Sequence, residues 1–135
     1  MRQHGFTLVE LLIVVVIIGL LIIICIPLLK EVKVVTQEKS AWATLRRVAA
    51  AEATYFTRNG HQGYTTLDEL EDLGYLDTRF DSGTATYNGY MFYAEIETRT
   101  FKIWARPVEH PDEPAFYLNE SLAIYFEDGS PVPLH

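Results

Sequence analysis

From Leu11 to Leu29 the chain carries no charged side chain, and the apolar run begins earlier, at Phe6, interrupted once by Glu10. At about 1.5 Å of rise per residue, a helix of this length crosses a hydrocarbon core of about 30 Å. Beyond Leu29 the pattern changes character without a break. Lys30 to Asn59 contains neither Pro nor Gly, and Val35, Trp42, Leu45, Ala49, Ala53 and Phe56 recur at spacings of three, four or seven. Those positions share one helical face, while Lys39, Arg46, Arg47, Glu52 and Arg58 fall mainly on others. The reading is a single helix of roughly 50 residues, apolar all round in its first half and amphipathic in its second. Asn59-Gly60 ends it, with Gly60 as a left-handed C-terminal residue.

Residues 61 to 86 read as a loop region with one short helix. Thr66-Leu67-Asp68-Glu69 has the form of a capping box, Leu67, Leu70 and Leu73 face inward, and Gly74 stops the helix. Asp81 to Thr86 reads as a turn or loose loop. From Tyr90 the period becomes two. Phe92, Ala94 and Ile96 alternate with Tyr93, Glu95 and Glu97, and Phe101, Ile103 and Ala105 with Lys102, Trp104 and Arg106. Two hairpins follow, the first turning at Thr98-Arg99, the second joining Ala115–Leu118 to Ala123–Glu127. The sheet region is 87–135. Four antiparallel strands over the amphipathic half of a long helix give an α+β fold.

Composition changes this picture little. Of 135 residues 49% are hydrophobic, but the excess sits in the first 35, leaving an ordinary globular remainder of one domain, 30–135. The formal charge is −7, and apart from Glu10 every acid lies beyond Leu29. An acidic body repels phosphates, so direct nucleic-acid binding is disfavoured. Cys25 is the one cysteine and lies inside the apolar run, so no intramolecular disulfide forms and the domain is held by packing.

Glu10 does change the picture. A carboxylate at membrane depth costs about 2.5–3.5 kcal/mol, which marks it either as functional or as an interfacial group reaching for headgroups. Before it stands a short polar leader, Met1-Arg2-Gln3-His4-Gly5, and around it the string Gly5-Phe6-Thr7-Leu8-Val9-Glu10-Leu11-Leu12-Ile13. This string closely resembles the class III signal of type IV prepilins and pseudopilins. The likeness is specific over residues 1 to about 30 and only architectural over the rest.

The resemblance implies removal of leader 1–5 by a prepilin peptidase that cuts between Gly5 and Phe6 and methylates Phe6. The helix 6–29 then stays in the mature chain, which loses Arg2 and becomes one charge more negative. Arg2 also places the N-terminus in the cytoplasm, with Lys30 and Lys33 weakening that bias. The family's pairing role falls on Glu10, which would meet the Phe6 amine of a neighbouring copy. Gly19 and Pro27 bound the segment that, by resemblance, melts on assembly, and Pro27 is a site for a kink.

Other chemistry is sparse. No phosphate-binding glycine loop, nucleophile–base constellation or cysteine pair stands out. His61, His110 and His135 are scattered and read as exposed. Glu109, Asp112 and Glu113 are weak candidates for a cation, against the plainer reading of an exposed acidic loop. No cofactor is implied. The reading that results is a non-enzymatic structural subunit of a type IV pilus, a homo-oligomeric helical filament. Its implied partners are a prepilin peptidase and methyltransferase, an inner-membrane platform protein, an assembly ATPase and a possible secretin. It would lie in the inner membrane before assembly and outside the cell after it. The alternatives are a type II secretion pseudopilin forming a periplasmic filament, or a minor pilin acting as a surface binding module.

Overall fold

The computed structural model describes residues 5–133. Leader residues Met1 to His4, Arg2 among them, and His135 lie outside the described residues. The chain divides into two compact units, Met1–Thr36 and Gln37–His135. One helix, α1, runs unbroken from Leu8 to Arg58 and so belongs to both.

In the first unit α1 is apolar on all sides. Its large hydrophobic side chains from Leu8 to Leu29 are between 45% and 86% exposed. No soluble monomer tolerates so continuous an apolar surface in water, and the stretch is long and apolar enough to cross a membrane.

In the second unit α1 packs on an antiparallel sheet. A short helix α2 (Leu67–Asp72) and a 3-10 turn (Thr78–Phe80) precede the strands β1 (Ala85–Tyr87), β2 (Tyr90–Ile96), β3 (Phe101–Pro107), β4 (Phe116–Asn119) and β5 (Ile124–Phe126). The sheet order is β1-β2-β3-β4-β5, a simple meander. Alternation works as the sequence implies: Phe92, Ile103, Ala105, Phe116, Leu118 and Ile124 are buried together with Ala41, Leu45, Val48 and Ala49 of α1. Trp42 of α1 meets Phe116 edge-on, with centroids 5.6 Å apart, which seats the helix on the middle of the sheet. The far edge of β5 is bridged by the chain's own tail, through Tyr125 opposite Pro131 and bonds from Phe126 N–H to Ser130 O and Val132 N–H to Ile124 O.

The α+β fold stands as read, with a five-stranded sheet where four strands were expected. The added strand, β1, is too short for alternation to show. Its turn was legible: Asn88 and Gly89 have φ of 49° and 78°, the left-handed pair that a two-residue hairpin prefers.

Local corrections follow from packing. The buried residues of α1 are Ala41, Thr44, Leu45, Val48, Ala49, Ala51 and Glu52, whereas Val35 and Ala53 are exposed. Thr66 occupies the N-cap of α2 but makes no capping bond. Glu69 accepts instead from the Thr65 hydroxyl at 2.8 Å. Leu73 is exposed because it is the C-cap residue, past the turn that buries Leu67 and Leu70. The end of α1 is as expected: His61 N–H bonds Phe56 O at 2.9 Å around Gly60 at φ 68°, a Schellman closure.

A chain truncated before Lys30 is expected to be soluble and monomeric, since the core residues all lie in Gln37–His135. Size-exclusion chromatography checks this, and aggregation would mean that packing before Lys30 is needed.

Candidate functional site

The site with the clearest local design is the start of α1. Thr7 and Glu10 close a reciprocal capping box. Thr7 N–H donates to Glu10 Oε2 at 3.2 Å and Glu10 N–H donates to Thr7 Oγ1 at 3.1 Å. The spacing Thr-x-x-Glu was open to reading in the sequence, and it satisfies two of the amide groups that a helix start leaves bare. A carboxylate in the first turn also complements the helix dipole. So Glu10 has a local partner of its own at the mouth of the apolar run. Just ahead of the helix, Gly5 has nothing within 4 Å of where a side chain would begin, and Phe6 is 83% exposed. The bond between Gly5 and Phe6 therefore sits on open backbone ahead of the helix, within reach of a peptidase.

Along the apolar helix Gly19 meets open space, and α1 continues through both Gly19 and Pro27. Pro27 removes one amide donor there and leaves the carbonyl one turn back without its helical partner. Cys25 is free and exposed.

The acidic loop after β3 does not gather its carboxylates. Glu109 accepts from Gln37 Nε2 at 2.9 Å and lies 3.9 Å from His110. Glu113 instead faces Glu38 of α1, whose carboxyl is raised above its ordinary range by burial and by the neighbouring Glu113 charge. Asp112 is exposed. Among the described residues no cluster of three or more His, Cys, Asp or Glu is arranged to hold a metal ion.

Two arrangements escaped sequence reasoning. The first is a row of aromatic rings across the outer face of the sheet, Tyr93, Trp104, Tyr117 and Tyr125, directly opposite one another in register. Trp104 falls on the polar alternation yet is only 8% exposed. Arg106 lies 4.8 Å above its ring, and Lys102 lies 4.9 Å above Tyr117. Cation stems thus cover the row. Glu127 holds Arg106 at 2.9 Å. The second is Glu52, which the helical pattern placed off the buried face. It is wholly buried, its Oε2 accepts from Thr65 N–H at 3.1 Å, and its Oε1 has no partner. Loss of hydration pushes its pKa up to about 7, against the smaller opposing effect of the Thr65 bond. Nothing in the local sequence marks a glutamate at a helical position as buried.

Comparison with known proteins agrees with the geometry of the N-terminus. Residues 1–26 match the prokaryotic N-terminal methylation motif, the class III signal of type IV pilins and pseudopilins. A motif of this kind is the signal a prepilin peptidase acts on, and with the apolar helix behind it fits a membrane-anchored precursor. No match was found among curated proteins or among solved structures.

Proposed function

We propose that this chain, which carries the methylation motif of type IV pilins and pseudopilins at residues 1–26, is a filament subunit of a type IV pilus. One observation carries the reading. An open Gly5-Phe6 junction leads into a long helix whose apolar stretch, up to Leu29, holds a single acid, Glu10, in the first turn. Cleavage at that junction exposes a new amine on Phe6, four residues from Glu10. Methylation of a primary amine leaves it able to carry a positive charge.

The physical work follows from these parts. In the bilayer the stretch from Phe6 to Leu29 is solvated by lipid. In a filament the same side chains are solvated by neighbouring copies. Contacts of this head-to-tail kind do not close, so they propagate a fibre. Apolar packing supplies area but not register, because one Leu/Ile/Val face fits another at many offsets. The pairing of Glu10 with the Phe6 amine of the next copy supplies it. A charge pair in low dielectric is strongly distance-dependent, and leaving either member unpaired is costly. Gly19 to Pro27 is the stretch we assign to helix melting on assembly, where Pro27 has already removed one hydrogen bond. Leader removal, platform docking and ATP-driven assembly are assigned to the peptidase, platform and ATPase partners, with a secretin as the exit.

Mass spectrometry of protein from peptidase-competent cells is expected to show a chain that starts at methylated Phe6. A chain starting at Met1 there would remove the basis of the assignment. Electron microscopy of sheared surface material then distinguishes the outcomes. Extracellular filaments of this subunit support the pilus, and subunits confined to the periplasm would favour a secretion pseudopilin.

A further inference from the structure

We propose that Glu52 is a proton-operated latch that ties residues 59–66, the connector between α1 and α2, to the body of the domain. The connector has few other holds. Tyr64 N–H donates to Thr98 O at 3.3 Å, and the Tyr64 ring lies between Phe56, stacked at 4.7 Å, and Phe101, edge-on at 4.6 Å. Gly63 runs close against Thr98, where a side chain would meet its carbonyl oxygen at 3.0 Å. At its two ends His61 N–H bonds Phe56 O and the Thr65 hydroxyl bonds Glu69, and between them Thr65 N–H bonds Glu52 Oε2. This last bond is the deepest of these holds, since Glu52 is fully buried and Thr65 only 7% exposed.

The latch is incomplete in a way that matters. Oε1 of Glu52 is buried with no hydrogen-bond partner. A protonated carboxyl tolerates this at modest cost, whereas a carboxylate with one amide donor and one bare oxygen does not. Among the described residues no cation acts on Glu52, whose carboxyl feels only its burial and the Thr65 bond. Around it, from the connector, come the Tyr64 phenol and, further out, His61, set edge-on to Phe56 at 5.0 Å. From α2, Glu69 reaches the Thr65 hydroxyl, and from the β4–β5 turn Glu120 acts on Tyr64. Two of these are themselves acids. Ionisation therefore favours an opening that lets water reach the carboxylate, and the element that gives way is the connector.

The sign is fixed by the folded value lying above the ordinary 4.5, at about 7. The closed form binds its proton more firmly than the open one. The closed form is thus favoured most at low pH, and that advantage is lost as pH rises from about 4.5 through about 7.

Hydrogen exchange on the full chain in detergent, read by mass spectrometry on peptides covering 59–66 and corrected for the intrinsic rate, tests this. Between pH 5 and 8.5 the opening equilibrium is expected to grow by about 50- to 100-fold. In Glu52→Gln the same peptides are expected to show no such dependence, which also separates Glu52 from His61. A flat wild-type profile, or a Gln variant that keeps the wild-type slope, would overturn the latch. Should the variant not fold, carboxyl NMR of the wild type decides. A Glu52 midpoint near 7 that coincides with the Thr65 amide shift supports the latch, and one in the ordinary carboxylate range sinks it.

Discussion

Glu10→Ala is expected to abolish filaments while the chain is still inserted and cut to a mature form. The substitution removes two things at once, and their sizes differ. Losing the capping box with Thr7 costs about 0.5–2 kcal/mol at one end of a 51-residue helix, which the rest of α1 absorbs. On the proposed pairing, losing the partner of the Phe6 amine would leave a cation stranded in apolar packing. Breaking one side of such a pair costs about 3–5 kcal/mol, and in a filament the loss recurs at every subunit. Glu10→Gln separates the two, because glutamine keeps the reciprocal cap but not the charge. Both variants are expected to give mature subunits in the membrane and no filaments, counted by electron microscopy and by immunoblot of sheared material. Normal filament numbers from Glu10→Gln would mean that the cap, not the charge, is what Glu10 contributes.

Phe116→Ala is expected to destabilise the second unit by about 3–5 kcal/mol, the usual cost of emptying a phenylalanine site. The residue is fully buried and meets rings from three elements of the core. Trp42 of α1 stands edge-on to it, while Tyr90 of β2 and Phe126 of β5 lie within 5.5 to 6.0 Å between centroids. No single neighbour can swing to fill the gap, because each is held by a different element. Thermal unfolding of the full chain in detergent should show a midpoint lower by roughly 10 °C or more. Phe116→Leu, which keeps most of the volume, should lose much less. A Phe116→Ala midpoint within a few degrees of wild type would show that α1 and the sheet are seated by other contacts.

The long helix and the alternating strands were legible because each rests on a period repeated many times. In β3, Phe101, Ile103 and Ala105 are buried at alternate positions, with Trp104 between them as the exception. The N-terminal site was legible for a different reason, since an acid in an apolar run is an exception that needs a cause. What stayed hidden was decided by partners distant in sequence. Glu52 is buried because the connector folds back over it, and Trp104 because Lys102 and Arg106 lie across it. The helix face was misplaced by part of a turn, because alanines at 41, 49, 51 and 53 carry little hydrophobic signal to choose between them. β1 was passed over despite its Asn-Gly turn, because three residues cannot show a period.

The tail that bridges β5 has a meaning that appears only at high local concentration. In the proposed filament many copies of this domain would stand side by side, and each sheet has two edges with backbone groups facing outward. At β5 the bonds to Ser130 and Val132 occupy that edge, and Pro131 and Pro133 offer no amide to a newcomer. At the other end β1 is only three residues long. Strand-to-strand joining between copies, the route to amyloid-like aggregates, is thereby blunted at both ends. The proposed filament would then grow through its helices without its sheets also joining edge to edge.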